Sequence, residues 1–158
     1  MNKIGFCPLN TKYSRQLAEI LNTDTKLGKS LGTGSHETRS PADFLENTNK
    51  WAKKNDSETF ATVLKKEGQA IGLISLSHQT ATTARIGYWL GSHYWGRGYA
   101  TEVFSQILDY AAKKGLQEVR ATIDKTNVAS VKIWEKFKAS FVEDNDNLEA
   151  EIILKQIV

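Results

Sequence analysis

The sequence predicts an α+β (mixed α/β) fold: a largely antiparallel mixed sheet of about seven strands with helices on both faces. Two observations carry that class. Strand-length apolar or alternating segments outnumber the helical ones, so most strands must pair with sequence neighbours rather than through helical crossovers. Helical segments still fall between strands, in the order β-α-α-β-β-β-α-β-α-β-β. The 158 residues, 40% hydrophobic and 25% charged, suit one domain over residues 1–158 with a substantial core.

Each element has a local reason. Lys3 to Leu9 is short and mostly apolar, a first strand with Pro8 near its end. Ser14 to Asn22 puts Leu17, Ile20 and Leu21 on one helical face, closed by Asn22 and Thr23. Thr25 to Arg39 carries Gly28, Gly32, Gly34 and two serines, the composition of a mobile loop, either a connector or a substrate lid. Ser40-Pro41-Ala42-Asp43 opens the next helix: Ser40 can cap it, Pro41 suits its first position, and Asp43 favours its positive end. Phe44, Leu45, Trp51 and Ala52 continue that helix to about Lys54.

Thr59 to Lys65 and Ala70 to Ser77 read as a hairpin around Glu67-Gly68. Thr82 to Leu90 is the next strand. A helix follows with Val103, Phe104, Ile107, Leu108 and Ala111 on one face, ended by Lys113-Lys114-Gly115. Glu118 to Ile123 is a strand, Asn127 starts another helix through Trp134 and Phe137, and Phe141 to Glu143 with Leu148 to Ile157 forms a last hairpin.

The chain is organised around Ile86 to Glu102, IGYWLGSHYWGRGYATE. An apolar run stops at Gly91, a loop with Gly96 and Gly98 follows, and a helix starts near Thr101. Glycines let backbone N–H groups approach an anion, and a helix start adds unpaired donors and a partial positive charge. Phosphate or pyrophosphate is the expected guest. Gly-x-Gly alone is a weak signal and also fits a plain connection. No Gly-Lys-Ser/Thr follows, and no third glycine with a downstream acid completes a dinucleotide fingerprint.

A second motif is Asn127-Val128-Ala129-Ser130. By itself it is a good helix start, with Asn127 as N-cap. Together, the loop with its IGYWL and GYATE flanks and the Asn-x-x-Ser start resemble the GNAT superfamily of acetyl-CoA-dependent N-acetyltransferases, in its RimJ/RimL-like branch. The resemblance covers nearly the whole chain. His93 stands where the family's Gln/Arg-x-x-Gly-x-Gly/Ala loop has Gln or Arg. The resemblance implies a pyrophosphate cradle at Gly96, Arg97, Gly98, Tyr99, Ala100 and Thr101. It also implies pantetheine pairing at the backbone of Trp89 and Leu90, and further cofactor contacts from His93, Asn127 and Ser130.

Two departures bear on catalysis. Trp134 holds the position where many relatives carry an acidic tyrosine, and Arg85 the one where many carry glutamate before the Ile-Gly-Tyr-Trp run. Ser130 is then the remaining candidate to protonate the leaving thiolate, and a backbone N–H near Leu90 is one leading donor for the developing oxyanion. His78, in the turn after its strand, is a speculative base or a surface histidine. A weak base suffices for an α-amine: at pH 7 roughly one in ten is neutral, against fewer than one lysine in a thousand.

The implied reaction transfers acetyl from acetyl-CoA to a primary amine, foremost a protein or peptide N-terminus. The alternatives are a small amine such as an aminoglycoside or polyamine, or a non-catalytic acyl-CoA-binding module. Cys7 is the one cysteine, which excludes an internal disulfide, and His36, His78 and His93 have no metal-ligand spacing. A net charge of +3 is scattered and argues against nucleic acid. No apolar run approaches the ~20 residues of a membrane span, and no signal-peptide core appears. A cytoplasmic monomer or homodimer is expected.

Overall fold

A computed structural model describes residues 3–31 and 39–154. The strands are β1 (Ile4–Pro8), β2 (Glu58–Leu64), β3 (Gln69–Ser77), β4 (Thr83–Leu90), β5 (Glu118–Asp124), β6 (Ser140–Asp144) and β7 (Asn147–Ile153). The helices are α1 (Thr11–Thr23), α2 (Thr25–Ser30), α3 (Pro41–Lys54), α4 (Tyr99–Lys113) and α5 (Val128–Lys136). The seven strands form a sheet in the order β1-β2-β3-β4-β5-β7-β6. Every neighbouring pair is antiparallel except β4 and β5.

The expected class and order therefore stand, with one helix added. Asp24 accounts for it: its carboxylate accepts the Leu27 N–H at 3.0 Å and caps α2 within the stretch expected to be loop. Positions 32–38 of that stretch lie outside the described residues, and so does the end of the last expected strand, 155–157. Helix α1 also starts earlier than Ser14, because Asn10 Oδ1 accepts the Tyr13 N–H at 2.8 Å.

Both sheet faces are covered over β2 and β3, which is why those strands bury successive residues rather than alternate ones. On one face α4 and α5 pack Phe104, Ile107, Leu108 and Trp134 against Ile74, Leu76, Ala84 and Ile86. On the other, α1 and α3 lay Leu17, Ala18 and Phe44 over Ala61, Val63 and Ala70. Burying a large aliphatic or aromatic side chain is worth ~1.5–3 kcal/mol. The two layers thus fix β4 in the middle of the molecule, with its C-terminal end and the following loop at one rim.

Candidate active site

Strand β4 pairs with β5 only from Thr83 to Arg85, opposite Glu118 to Arg120. Beyond Arg85 the strands part, and Ile86 to Leu90 have no ladder partner on that side among the described residues. Gly91 N donates to Ile71 O at 2.8 Å, which sets the phase of the β3–β4 ladder. By antiparallel alternation, Trp89 (opposite Leu73) and Gly87 (opposite Ser75) turn their backbone groups toward β3. The Trp89 carbonyl in fact lies so near Gly72 that a Cβ there would collide with it. The groups of Tyr88 and Leu90 face the gap. The Trp89 backbone, expected to pair with the pantetheine arm, is turned toward β3, and Tyr88 stands with Leu90 at the gap. The Leu90 carbonyl already accepts the Trp95 indole N–H at 2.9 Å, which leaves the Leu90 N–H as the donor aimed into the gap.

The loop after β4 is held from a distance. Asp24 accepts the Ser92 N–H at 2.6 Å and the Ser92 hydroxyl at 2.7 Å, tying the loop to the α1–α2 elbow. Burial pushes the Asp24 carboxyl upward. The hydrogen bonds from Ser92 and Leu27 and the charge of Lys26 outweigh that and hold it below the usual carboxylate value. His93 follows in a 3-10 turn (Ser92–Tyr94), exposed and edge-on to Tyr94 with ring centroids 5.5 Å apart. Nothing but that ring contact holds it among the described residues.

Gly96 (φ +74°) and Gly98 (φ +80°) both adopt left-handed backbone, and an added Cβ at either would meet nothing within 4 Å. Gly98 is the N-cap of α4 and supplies no side-chain acceptor, so the first-turn N–H groups at Tyr99, Ala100 and Thr101 lack an intrahelical partner. Open space, free donors, the helix's positive end and the exposed Arg97 together fit a pyrophosphate. Leu90, Tyr94, Tyr99 and Ala100 pack with Ile4 and Ile71 and fix the loop to the strand that leads into it.

Across the gap stands the start of α5. Asn127 caps it, accepting the Ser130 N–H on Oδ1 at 3.2 Å. Asn127 itself is exposed, whereas Ser130 is 8% exposed. The Tyr88 hydroxyl donates to Ser130 Oγ at 3.3 Å, joining β4 to α5 over the gap. Burial raises the Tyr88 phenol above its ordinary value against the opposing effect of that hydrogen bond, so it stays protonated at neutral pH. Trp134 is 1% exposed and packs edge-on against Phe104, with centroids 5.1 Å apart. It is core, not chemistry.

On the opposite face of β4, a cleft of about 410 Å³ opens between α3 and the sheet. Helix α3 presents Phe44, Asn47, Thr48 and Trp51, at the i, i+3, i+4 and i+7 spacing of one face. The sheet presents Thr59, Leu73, Ser75, Gly87 and Tyr88, with Trp89 as a second indole wall. Arg39 completes the lining and carries its one formal charge among the described residues. Its N–H and C=O are both bonded to the Asn22 side-chain amide at 2.8 Å, so its backbone is anchored to α1.

His78 is elsewhere. It follows Ser77, which pairs with Arg85 at the end of β4 away from the loop, five residues and roughly 17 Å from Leu90 at strand rise. Its own backbone is left-handed (φ 50°) and its ring meets the Ser77 hydroxyl. The structure does not bring it to the gap or the cleft as a base. Arg85 is neutralised by Glu149 at 3.0 Å and donates to Thr122 Oγ1 at 2.7 Å. Burial raises the Glu149 carboxyl, but bonds from Arg85 and Thr122 bring it below the ordinary value, which makes it a poor proton acceptor. Tyr88, Asp24 and Arg39 are the residues that sequence reasoning did not assign. The described residues include no cluster of three or more His, Cys, Asp or Glu suited to a metal, and no helix long and apolar enough to cross a membrane.

The family model described as "Acetyltransferase (GNAT) domain" matches residues 4–140. The chain belongs to the GNAT acetyltransferase family. Among curated proteins it is 24% identical over 117 residues to the uncharacterized N-acetyltransferase p20 of Bacillus licheniformis, a match covering 70% of this chain and 66% of that protein. The match thus spans just under two thirds of the relative's length. Among solved structures, the spermidine N-acetyltransferase of Vibrio cholerae, in complex with CoA and spermine, superposes with a TM-score of 0.76 at 17% identity, over 97% of this chain and 96% of that one. The ribosomal-protein-S5-alanine acetyltransferase of Vibrio fischeri superposes with a TM-score of 0.73 at 19% identity, over 97% and 94%. At such identities these neighbours share the GNAT fold, and their two acceptors differ.

Proposed function

We propose that this GNAT protein transfers the acetyl group of acetyl-CoA to a primary amine, and that the acceptor is an α-amine such as a peptide or protein N-terminus rather than a polyamine. The observation that carries the first part is the parting of β4 from β5 beside a helix start that has free donors and no side-chain cap. The thioester supplies an activated acyl group. Gly96 to Thr101 hold the pyrophosphate through backbone N–H groups, while Tyr88 offers an unpaired strand edge to the pantetheine amides.

The acceptor nitrogen enters from the α3 cleft and bonds to the carbonyl carbon. The Leu90 N–H faces the oxygen on which charge develops, and the C–S bond then breaks. Ser130 Oγ–H protonates the departing sulfur, and Tyr88 OH, already donating to Ser130 Oγ, returns a proton to it. The amine's surplus proton, relayed by water, restores the Tyr88 hydroxyl and closes the cycle. A polyamine carries further ammonium groups and is best held by carboxylates. The described cleft lining contains none, and this favours an acceptor with a single amine.

CoA release from acetyl-CoA, followed with peptides of varied N-terminus, lysine side-chain analogues and polyamines, tests the reading. Release with α-amine peptides above the hydrolytic background is expected. Spermidine as the best acceptor would reverse the acceptor assignment, and acetyl-CoA binding without turnover on any amine would leave a binding module.

A further inference from the structure

Resting on that acetyl-transfer reading, we propose that Arg39 is a specificity residue that selects acceptors bearing a carboxylate close to the reactive amine. The cleft is built for a small, mostly apolar body: Phe44, Trp51 and Trp89 wall it, and Thr59 and Ser75 offer neutral hydroxyls. Its volume of about 410 Å³ is in the range of small-ligand sites and admits one amino-acid-sized group. Within it the electrostatics are one-sided. Arg39 is the one charged residue among the described lining, it is half-buried, and it forms no ion pair with a described residue. Arg85, on the same face of β4 as Gly87 and Trp89, is already paired with Glu149 and adds no free cation.

Arg39 lines the cleft together with Phe44, Trp51 and Trp89, its backbone is clamped by Asn22, and its guanidinium can meet a carboxylate through two parallel N–H···O bonds. The same surroundings act on the amine. With no carboxylate in the described lining to hold an ammonium and a cation nearby, the neutral form of the acceptor nitrogen is favoured, which is the form that attacks. The cleft thereby does part of the work of a general base, which the described site otherwise lacks. A second ammonium, as in a polyamine, would meet Arg39 with like charge.

The required carboxylate has two sources: the α-carboxylate of a free amino acid, or the side chain of a peptide that begins with Asp or Glu. The test is steady-state CoA release by the wild type, Arg39→Gln and Arg39→Lys with matched acceptors. These are phenylalanine against phenylalanine amide, a Glu-initiated amidated peptide against its Gln-initiated counterpart, and spermidine. Preference for the carboxylate member of one pair by roughly ten- to a hundredfold in kcat/KM is expected, and identifies the source. Arg39→Gln should abolish that preference mainly through KM, with Arg39→Lys keeping part of it. Equal rates within both pairs, spermidine as the best acceptor, or a preference that survives Arg39→Gln would each overturn the role of Arg39 while leaving acetyl transfer standing. A wild type that shows neither an acetyl-CoA thermal shift nor CoA release with any amine would refute both.

Discussion

Gly98→Ala separates the anion cradle from mere helix capping, because Gly115 provides a matched control. Gly98 precedes α4 with φ +80° and Gly115 follows it with φ +93°, and a Cβ at either finds nothing within 4 Å. Gly115 ends the helix through a 6→1 and 5→2 pair, Leu116 N to Ala111 O at 3.1 Å and Gly115 N to Ala112 O at 3.0 Å. Neither substitution creates a clash, so each costs only the left-handed penalty of an L-residue, about 1–2 kcal/mol. For a chain of this size that lowers Tm by roughly 2–8 °C. Acetyl-CoA at about a hundred times its Kd should stabilise the wild type by ~2.7 kcal/mol, a rise of roughly 5–11 °C. Differential scanning fluorimetry with and without acetyl-CoA reads both quantities. Gly115→Ala should keep the full ligand shift on its lowered baseline, whereas Gly98→Ala should lose most of it, its methyl group standing where the pyrophosphate meets the backbone. Equal ligand shifts in the two variants would refute the cradle.

Two further perturbations address the proton path and the loop clamp. Ser130→Ala should lower kcat by about ten- to a thousandfold with little change in acetyl-CoA affinity, and Tyr88→Phe should lower it less, since it removes only the resupply of the proton; rapid-quench and steady-state CoA release measure both. Asp24→Ala should destabilise the protein by ~1–2 kcal/mol at neutral pH through loss of the α2 cap and the Ser92 clamp. Because the folded Asp24 carboxyl lies below its unfolded value near 3.9, that stabilisation is complete above the unfolded value and is lost as pH falls through the folded one. The Tm difference between wild type and Asp24→Ala should therefore narrow in melts run from pH 7 down to pH 3.

The parts of the site that were legible in the sequence are those written in local signals. Positive φ at Gly96 and Gly98, the Asn127 cap and the apolar face of α4 each depend on a few neighbouring residues. The parts that were not depend on tertiary register. Period-2 alternation shows that Trp89 and Leu90 point apart, but only the Gly91–Ile71 bond says which of them faces β3. Tyr88 meets Ser130 across 42 residues and Asp24 meets Ser92 across 68, and neither pairing leaves a mark in composition or spacing. Helix α2 was hidden by Gly28 inside it and by the glycine-rich run beyond, which together look like loop. That the described cleft lining holds one cation and no carboxylate could not be read at all before α3 was laid against β2–β4.

The brief contact between β4 and β5 has a mechanical consequence. It divides the sheet into two antiparallel blocks, β1–β4 and β5-β7-β6, each knit by long ladders, that share three rungs. Beside the Tyr88–Ser130 and Arg85–Glu149 bonds, an aromatic rivet joins the blocks: Phe104 of α4 against Trp134 and, at 5.3 Å, Phe137 at the end of α5. Local opening starts where the fewest backbone bonds must break, so the seam between the blocks is the softest line through the sheet. The amides of Tyr88 and Leu90 lie along it with no strand to shield them, and their exchange with solvent water reports whether anything has been laid into the seam.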